Sequence, residues 1–367
     1  MSTTFTTATT RPPYVVPGMA EIAAVEQTGL VAVSTFSGCG GSSTGYRMAG
    51  FRVAWASEFV AAAADTYRAN ADPQTVLDTR DIREVQPGDV LEVAGDVDLL
   101  DGSPPCSPFS TQGVTSRDWG EAVPYSSTSQ RTDDLFWEFA RLVEGVQPKA
   151  FIGENVYGLV RGVAKGYFKR ILARLRSAGY RVEARLLDAS WLGAPQERKR
   201  LIFAGVRDDL ALAPALPAPL AYRRTIGDAL GAGYGGVYWR WGVADMTRPC
   251  PTIQTTFTSH SRLAVLAPPG TDRDPETGRD LHDDYDLVMF GGRDRAALGL
   301  PAPYAYDVRR PTLAELRALA GFPPDFKLTG SYNQRWERIG RAVPPVMMAN
   351  IAAAVRDRVL LPAREAA

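Results

Sequence analysis

Four short stretches of the chain combine reactive side chains with the stiff or permissive backbone that chemistry requires. In Gly102-Ser-Pro-Pro-Cys106-Ser-Pro, three prolines surround a cysteine. Proline fixes φ, so Cys106 with Pro105 before it sits on a rigid turn, where a thiol can act as a nucleophile. The plain alternative is a buried structural cysteine. In Gly153-Glu-Asn-Val156, Glu154 offers a carboxyl group able to move a proton; as an isolated pair it would be a surface turn. In Gln196-Glu-Arg-Lys-Arg200, Arg198 and Arg200 alternate to one face of an entering strand. Two guanidinium groups on one face can grip a phosphate or a base carbonyl, unless the stretch is only a charged edge. Finally, Phe36-Ser-Gly-Cys-Gly-Gly41 has glycines at 38, 40 and 41 that let a ligand approach the backbone. Glu58 follows Gly38 by 20 residues, where an acid can hold ribose hydroxyls. The dinucleotide fingerprint wants glycine at position 43, which is Ser43, so the loop suits an adenosine-bearing cofactor in general rather than a nicotinamide one.

These stretches need a scaffold that brings them to one edge. Apolar, β-branched runs at Leu30 to Phe36, Phe51 to Ser57, Val97 to Leu100 and Ala150 to Ile152 are expected strands. Arg181 to Leu187 and Arg200 to Val206 are two more. Helical patterns fall between them, clearest over Asp134 to Val146, where Leu135, Phe139, Leu142 and Val143 share a face, and over Gly166 to Ala178. Strands alternating with helices predict an α/β fold with a mostly parallel sheet covered on both faces, and reactive loops at the carboxyl edge. After Arg207 the character changes. Leu212 to Leu220 is an Ala/Pro linker, and Gly231 to Pro303 is rich in Gly, Pro, Asp and aromatics, with strand-like runs at Val237 to Trp241 and Leu263 to Leu266. Val346 to Leu360 reads as a closing helix. The expected organisation is a flexible tail over 1–28, a catalytic domain over 29–224 and 307–367, and a small irregular lobe over 225–306.

Composition narrows the class. Hydrophobic residues make up 45% and charged residues 22% of 367, as in a globular protein with a sizeable core. No run approaches the length of a membrane span, and Met1 to Gly18 lacks the basic start and apolar run of a secretory signal. Cys39, Cys106 and Cys250 make a disulfide framework an unsuitable reading and point to a reducing cytoplasm. With only His260 and His282, no Cys/His cluster has metal-ligand spacing, so no bound metal is expected. The 41 basic and 41 acidic side chains cancel, so any nucleic-acid surface must come from local clustering.

In order and spacing these segments resemble the DNA cytosine-C5 methyltransferase family, from Leu30 to about Val206 and again from about Arg309 to Val355. Phe36 to Gly41 matches its cofactor loop (Phe36, Gly38, Cys39, Gly40, Gly41), Glu58 its ribose-binding acid, and Asp81-Ile82 in Thr79-Arg-Asp-Ile its next cofactor motif. Pro105-Cys106 matches the nucleophile motif, with Phe109-Ser110 in the usual place; Glu154-Asn155-Val156 and Gln196, Arg198, Arg200 match two more. Gly340 to Pro345, with Arg341 and Val343, resembles the closing cofactor motif. The resemblance implies a Rossmann-like, S-adenosylmethionine-dependent methyltransferase fold with a target-recognition lobe, no metal, and double-stranded DNA as partner of a monomer. It implies Phe36 and Phe59 on either side of the adenine, Cys106 adding to C6 of cytosine, Glu154 assisting at N3, and Arg200 with Arg198 holding the base and backbone. Such chemistry needs the base flipped out of the duplex, with Ser107 to Gln130 as a closing loop.

Two departures stand out. The closing motif ordinarily reads Gly-Asn, and here it is Gly340-Arg341. A cation beside a sulfonium is unfavourable without an added anion, which raises carboxy-S-adenosylmethionine as an alternative cofactor and 5-carboxymethylcytosine as its product. The plainer reading has Arg341 on the methionine carboxylate or in solvent. Ahead of Gly321-Phe-Pro323, Ala318 and Ala320 replace an Arg and a Gln that usually buttress the reading lobe. With a lobe of about 80 to 90 residues, this suggests short or relaxed recognition, for which Arg240, Arg248, Arg262 and Arg293 are candidate base or phosphate contacts. An RNA cytosine methyltransferase shares the chemistry. A non-catalytic DNA binder would be expected to lose Cys106 or Glu154, and both are present.

Overall fold

The computed structural model describes residues 11–105, 123–125, 128–130, 134–160, 164–239, 242–243, 245–255, 263–268, 270–281 and 307–366. A seven-stranded sheet lies at its centre. In chain order the strands are β1 (Val31–Thr35), β2 (Arg52–Ser57), β3 (Val76–Asp78) and β4 (Leu99–Gly102). A short hairpin, β5 (Val123–Tyr125) and β6 (Thr128–Gln130), precedes β7 (Ala150–Val156), β8 (Tyr180–Asp188) and β9 (Lys199–Arg207). The lateral order is β3-β2-β1-β4-β7-β9-β8. Strands β1 to β4 and β7 are parallel. Strand β9 runs antiparallel to both neighbours. The reason lies in the connections: β8 and β9 are joined by 189–198, which holds only a single 3-10 turn, too short for the crossover that parallel pairing requires.

Adjacent residues on each strand go to opposite faces, as the pleat dictates. Ala32, Leu99, Ile152 and Ile202 join one core cluster, while Val33, Leu100, Phe151 and Phe203 join the other. Both faces are therefore dry, which explains the near-continuous apolar runs. One face is covered by α4 (Pro87–Ala94), α5 (Leu135–Val146) and α6 (Ala164–Ser177), whose aromatic side chains interlock: Phe136 meets Phe203 edge-on at 5.3 Å between ring centroids. On the other, α2 (Gly41–Met48) packs against a helix from far along the chain. That element is the fourth of a C-terminal group: α7 (Ile226–Leu230), α8 (Leu313–Ala320), α9 (Tyr332–Arg341) and α10 (Pro345–Val355), counting α1 (Met19–Ala23) and α3 (Ala61–Arg68) before them.

The lobe carries a second, antiparallel sheet in the order β11-β10-β12-β13, formed by β10 (Gly236–Trp239), β11 (Gly242–Val243), β12 (Ala264–Ala267) and β13 (Asp307–Arg309). Its core is shared with the catalytic side: Ile253, Leu263 and Val265 cluster with Leu316, Phe322 and Trp336. Polar ties reinforce the join despite Ala318 and Ala320. The fully buried Arg309 guanidinium pairs with both oxygens of Glu315, at 2.8 and 2.9 Å. Glu276 receives Arg317 and Arg335, and Asp274 caps the start of α8 through the Leu313 amide at 2.9 Å.

From residue 11 onward, the segment expected as a flexible tail makes defined contacts. The Tyr14 hydroxyl donates to the Ala318 carbonyl at 3.1 Å, and Arg224 stacks on the Tyr14 ring while donating to the Pro12 and Pro13 carbonyls. Residues 1–10 lie outside the described residues. No helix among the described residues is long and apolar enough to cross a membrane.

The contact of α2 with α10 sets where the glycine loop can sit. A β-carbon on Gly45 would stand 2.6 Å from the Pro345 carbonyl oxygen and 2.7 Å from the Met348 β-carbon. Gly45→Ala is therefore expected to destabilise the protein by about 1–3 kcal/mol through overpacking, read by urea unfolding, and to loosen the cofactor loop with it. Unchanged stability would mean that the two helices separate at no cost.

Candidate active site

The strand order reverses between β1 and β4, and the reactive segments leave the sheet at the carboxyl ends around this switch point. Phe36 to Gly40 follows β1, Glu58 follows β2, Gly102 to Pro105 follows β4, and Glu154 lies near the end of β7.

The loop after β1 turns sharply. Phe36, Gly38 and Gly40 have φ of 52°, 56° and 95°, left-handed values that strain Phe36 but not the glycines. Above Gly38 a β-carbon would meet nothing within 4 Å, so open space faces the loop there. Gly41 is the opposite case: its β-carbon would lie 2.4 Å from the Val343 carbonyl oxygen, so the loop and the closing motif touch backbone to backbone. Cys39 turns its thiol into the core shared with the lobe, 3.6 Å from the Arg338 carbonyl, and burial pushes its pKa up to about 12. Any contact of Cys39 with a ligand is thus through its backbone.

Glu58 buttresses the loop. Its two oxygens accept from the Gly38 amide at 2.8 Å and the Val60 amide at 2.7 Å. Burial raises its pKa, opposed by those two amides and by Arg338 and Arg341. Next to it Phe59 leaves 41% of its surface exposed, unusual for so large an apolar ring. Asp81 is paired with Arg83 at 2.9 Å, which also binds Asp134 at 2.7 Å, and Ile82 is buried. An open glycine turn, an exposed aromatic ring and a carboxylate at the next strand end fit the nucleoside half of S-adenosylmethionine.

On the other side of the switch point, Glu154 is nearly buried and accepts from Arg200 Nε at 2.8 Å. Burial lowers the pKa of Arg200, with Glu154 opposing it. Arg198 is placed differently from its sequence partner. Its guanidinium is buried and donates to the Gly340 carbonyl at 2.9 Å and the Arg341 carbonyl at 3.0 Å. It clasps the closing motif, whereas Arg200 engages the carboxylate. Asn155 Nδ2 donates to the Pro104 carbonyl at 3.2 Å, which ties β7 to the turn leading into Cys106. Gln196 fixes the lobe by accepting from the Ile253 amide at 3.1 Å. Arg341 Nε binds Glu337 at 2.8 Å, one helical turn earlier, and Val343 is buried. Glu337 was not anticipated, although its i, i+4 spacing from Arg341 carried the signal. Pro105 is half-exposed, while Cys106, Phe109, Ser110, Arg240, Arg262 and Arg293 lie outside the described residues. Arg248 is exposed on the lobe.

An α/β sheet with its switch point between β1 and β4, a glycine loop backed by the Glu58 carboxylate, and a carboxylate–arginine pair across from it have the arrangement of the Rossmann-like methyltransferase class. The family model for C-5 cytosine-specific DNA methylase matches residues 30–233. The chain belongs to that family. Among curated relatives, Type II methyltransferase M.NgoPII of Neisseria gonorrhoeae is 28% identical over 88% of this chain and 94% of its own. Type II methyltransferase M1.HphI of Haemophilus parahaemolyticus is 29% identical over 89% and 86%. Among solved structures, Spodoptera frugiperda DNMT2 superposes with a TM-score of 0.62 at 16% identity, covering 90% of this chain and all of its own. S. pombe Dnmt2 methyltransferase gives 0.59 at 17%, over 89% and 98%. At such identities these structures establish the fold.

Because Glu58 ties the Gly38 amide of the glycine loop to the start of α3, its removal should be felt at the ligand. Glu58→Ala is expected to weaken binding of S-adenosylhomocysteine by roughly 1–3 kcal/mol, or about five- to 150-fold, in isothermal titration. Affinity within twofold of the parent would remove Glu58 from the binding site.

Proposed function

We infer that the chain transfers a methyl group from S-adenosylmethionine to C5 of a cytosine flipped out of double-stranded DNA, through a covalent adduct at Cys106. The observation that carries this reading is the Glu154–Arg200 ion pair on β7 and β9, set at the sheet edge beside the Gly102–Pro105 turn. Cytosine C5 is a poor nucleophile until a thiolate adds at C6, and addition is eased when N3 gains a proton or a strong hydrogen bond. Glu154, carrying a proton taken from solvent, supplies that group, and Arg200 holds it in place with a free donor toward the base carbonyl; after transfer a base removes the C5 proton and the Cys106 thiolate leaves. S-adenosylmethionine supplies the electrophilic methyl. Arg198 acts one step back, by fixing the carbonyls of Gly340 and Arg341 in the closing motif. The Type II methyltransferase names of the curated relatives support a place in restriction-modification.

A second reading, carboxymethyl transfer from carboxy-S-adenosylmethionine, has one observation behind it. Arg341 retains 31% side-chain exposure and bears electrostatically on Glu58. Glu337 offsets part of the Arg341 charge at 2.8 Å, but it also pairs with Arg338 at 3.2 Å, so one carboxylate is shared between two guanidinium groups.

Digesting DNA from expressing cells to nucleosides separates the readings by mass. A methyl-sized increase on deoxycytidine, absent with Cys106→Ala, is the expected result, and a carboxymethyl-sized increase would favour the second. A parent enzyme that methylates an RNA duplex and leaves the matched DNA duplex untouched would overturn the choice of substrate. With a 5-fluorocytosine duplex, the parent should form a denaturation-resistant adduct that Cys106→Ala does not.

A further inference from the structure

One buried carboxyl group has no part in the chemistry above. Asp101 lies on β4, the strand that delivers the Cys106 turn, and is 1% exposed. Its Oδ2 accepts from the Ser34 hydroxyl at 3.1 Å, while Oδ1 has no hydrogen-bond partner. Ser37, in the glycine loop, donates from its hydroxyl to the Ser34 carbonyl at 2.9 Å and lies 3.0 Å from the Ser34 hydroxyl oxygen. The Asp101 carbonyl accepts from the Thr35 hydroxyl at 2.8 Å. The fully buried Tyr46 hydroxyl on α2 makes no close hydrogen bond, yet it acts on the same carboxyl as a donor. A polar chain thus runs through an apolar sheet from the nucleophile strand to the cofactor loop.

We propose that Asp101 is a positioning residue: as a neutral acid it clamps Ser34 and, through Ser37, holds the cofactor loop in register with the turn that leads into Cys106. Unpaired polar atoms in a dry core are costly, and a carboxylate with no cation beside it is costlier still, so the arrangement is favoured only with the proton on. Besides Ser34, the titratable groups that act on it are Tyr46 on α2, Tyr67 on α3 and Glu154 on β7, none of them a cation. Burial first, and Glu154 after it, push the Asp101 pKa up to about 7, with Tyr46, Ser34 and the Gly102 amide opposing. The folded protein therefore keeps a proton that the unfolded chain releases near 4, and stability falls as pH rises from about 4 to about 7. Ionisation by itself strengthens the Ser34 bond, but a charged Asp101 can be kept only by admitting water to the dry core, and it is that opening of the packing that should loosen the loop as pH rises.

The cofactor half of this proposal rests on the methyltransferase reading, while the clamp itself does not. The test uses the full chain with Asp101→Asn, which keeps the shape but cannot ionise, and follows melting temperature and S-adenosylhomocysteine affinity from pH 5 to pH 8.5. The parent is expected to lose affinity by roughly tenfold as pH rises past 7, the equivalent of one unit of differential protonation. Asp101→Asn should show a flat affinity profile near the parent's low-pH value and a melting-temperature advantage that grows with pH. Ser37→Ala cuts the chain at the loop end and should weaken affinity at pH 6 while keeping the parent's melting profile, so the proposal remains open to test even if the Asn variant fails to fold. Asp101→Asn with the parent's affinity profile, or Ser37→Ala with the parent's affinity at pH 6, overturns the clamp. Failure of the parent to bind at any pH would instead defeat the cofactor reading, leaving the melting-temperature comparison to decide whether Asp101 is held neutral.

Discussion

The site depends on a place where two backbones touch with no side chain between them. Gly41 and Gly45 on α2 face the Val343 and Pro345 carbonyls at a separation that admits no β-carbon. This contact joins segments about three hundred residues apart, and it decides where the loop after β1 lies relative to the closing motif. Everything that could hold a nucleoside is built outward from it: the left-handed turn at Phe36 to Gly40, the Glu58 carboxylate beneath that turn, and the exposed face of Phe59 beside it. Arg198 holds the same junction from the far side by its grip on two carbonyls of the closing motif.

Charge is handled unevenly across the molecule. The net charge is zero, yet several guanidinium groups are buried, and each has partners suited to its place. Arg309 meets a carboxylate with both of its ends and so fastens β13 of the smaller sheet to α8. Arg198 donates from two of its nitrogens to neutral carbonyls and leaves Nε without a hydrogen-bond partner, so burial works against its charge with only Glu154 opposing. Arg200 meets Glu154, so the carboxylate closest to the proposed chemistry is oriented by a fixed cation. Pairs of this kind contribute little net stability compared with apolar packing, but they fix geometry.

Much of the scaffold was legible because both faces of the sheet are dry. The runs at Leu30 to Phe36 and Phe51 to Ser57 became β1 and β2 within a residue at each end, and the shared face of Leu135, Phe139, Leu142 and Val143 became the buried side of α5. The antiparallel turn of β9 follows from the lack of a crossover helix between Asp188 and Lys199, visible only once strand partners are known. Period-two alternation placed Arg198 and Arg200 together, but Arg198 precedes the strand and turns to the closing motif, a choice made by tertiary contacts. Asp101 gave no local sign of its role. An acid inside an apolar run looks like an irregularity until its neighbours Ser34 and Tyr46, brought in from other elements, surround it. The N-terminal stretch read as a tail because its composition is rich in Thr and Pro, whereas Tyr14 and the prolines at 12 and 13 meet Arg224 from a segment two hundred residues later.

The same geometry that packs α10 on α2 also brings Arg364 to the threshold of the first strand, where its guanidinium binds the Thr28 carbonyl at 2.7 Å. In space, then, the catalytic fold is a closed circuit: its last helices lie beside the start of β1, with only a short gap to bridge. The order in which the polypeptide visits the cofactor loop, the nucleophile strand and the closing motif is therefore an accident of where the circuit is opened. A chain spliced across Thr28 and Arg364 and opened within the Ala/Pro linker at 212–220 would give up the contacts of residues 12–14 with Ala318 and Arg224, keep the central sheet and its helices, and present the motifs in rotated order. For this architecture, the order of motifs along a gene is a weaker signature of the enzyme than their arrangement around the sheet edge.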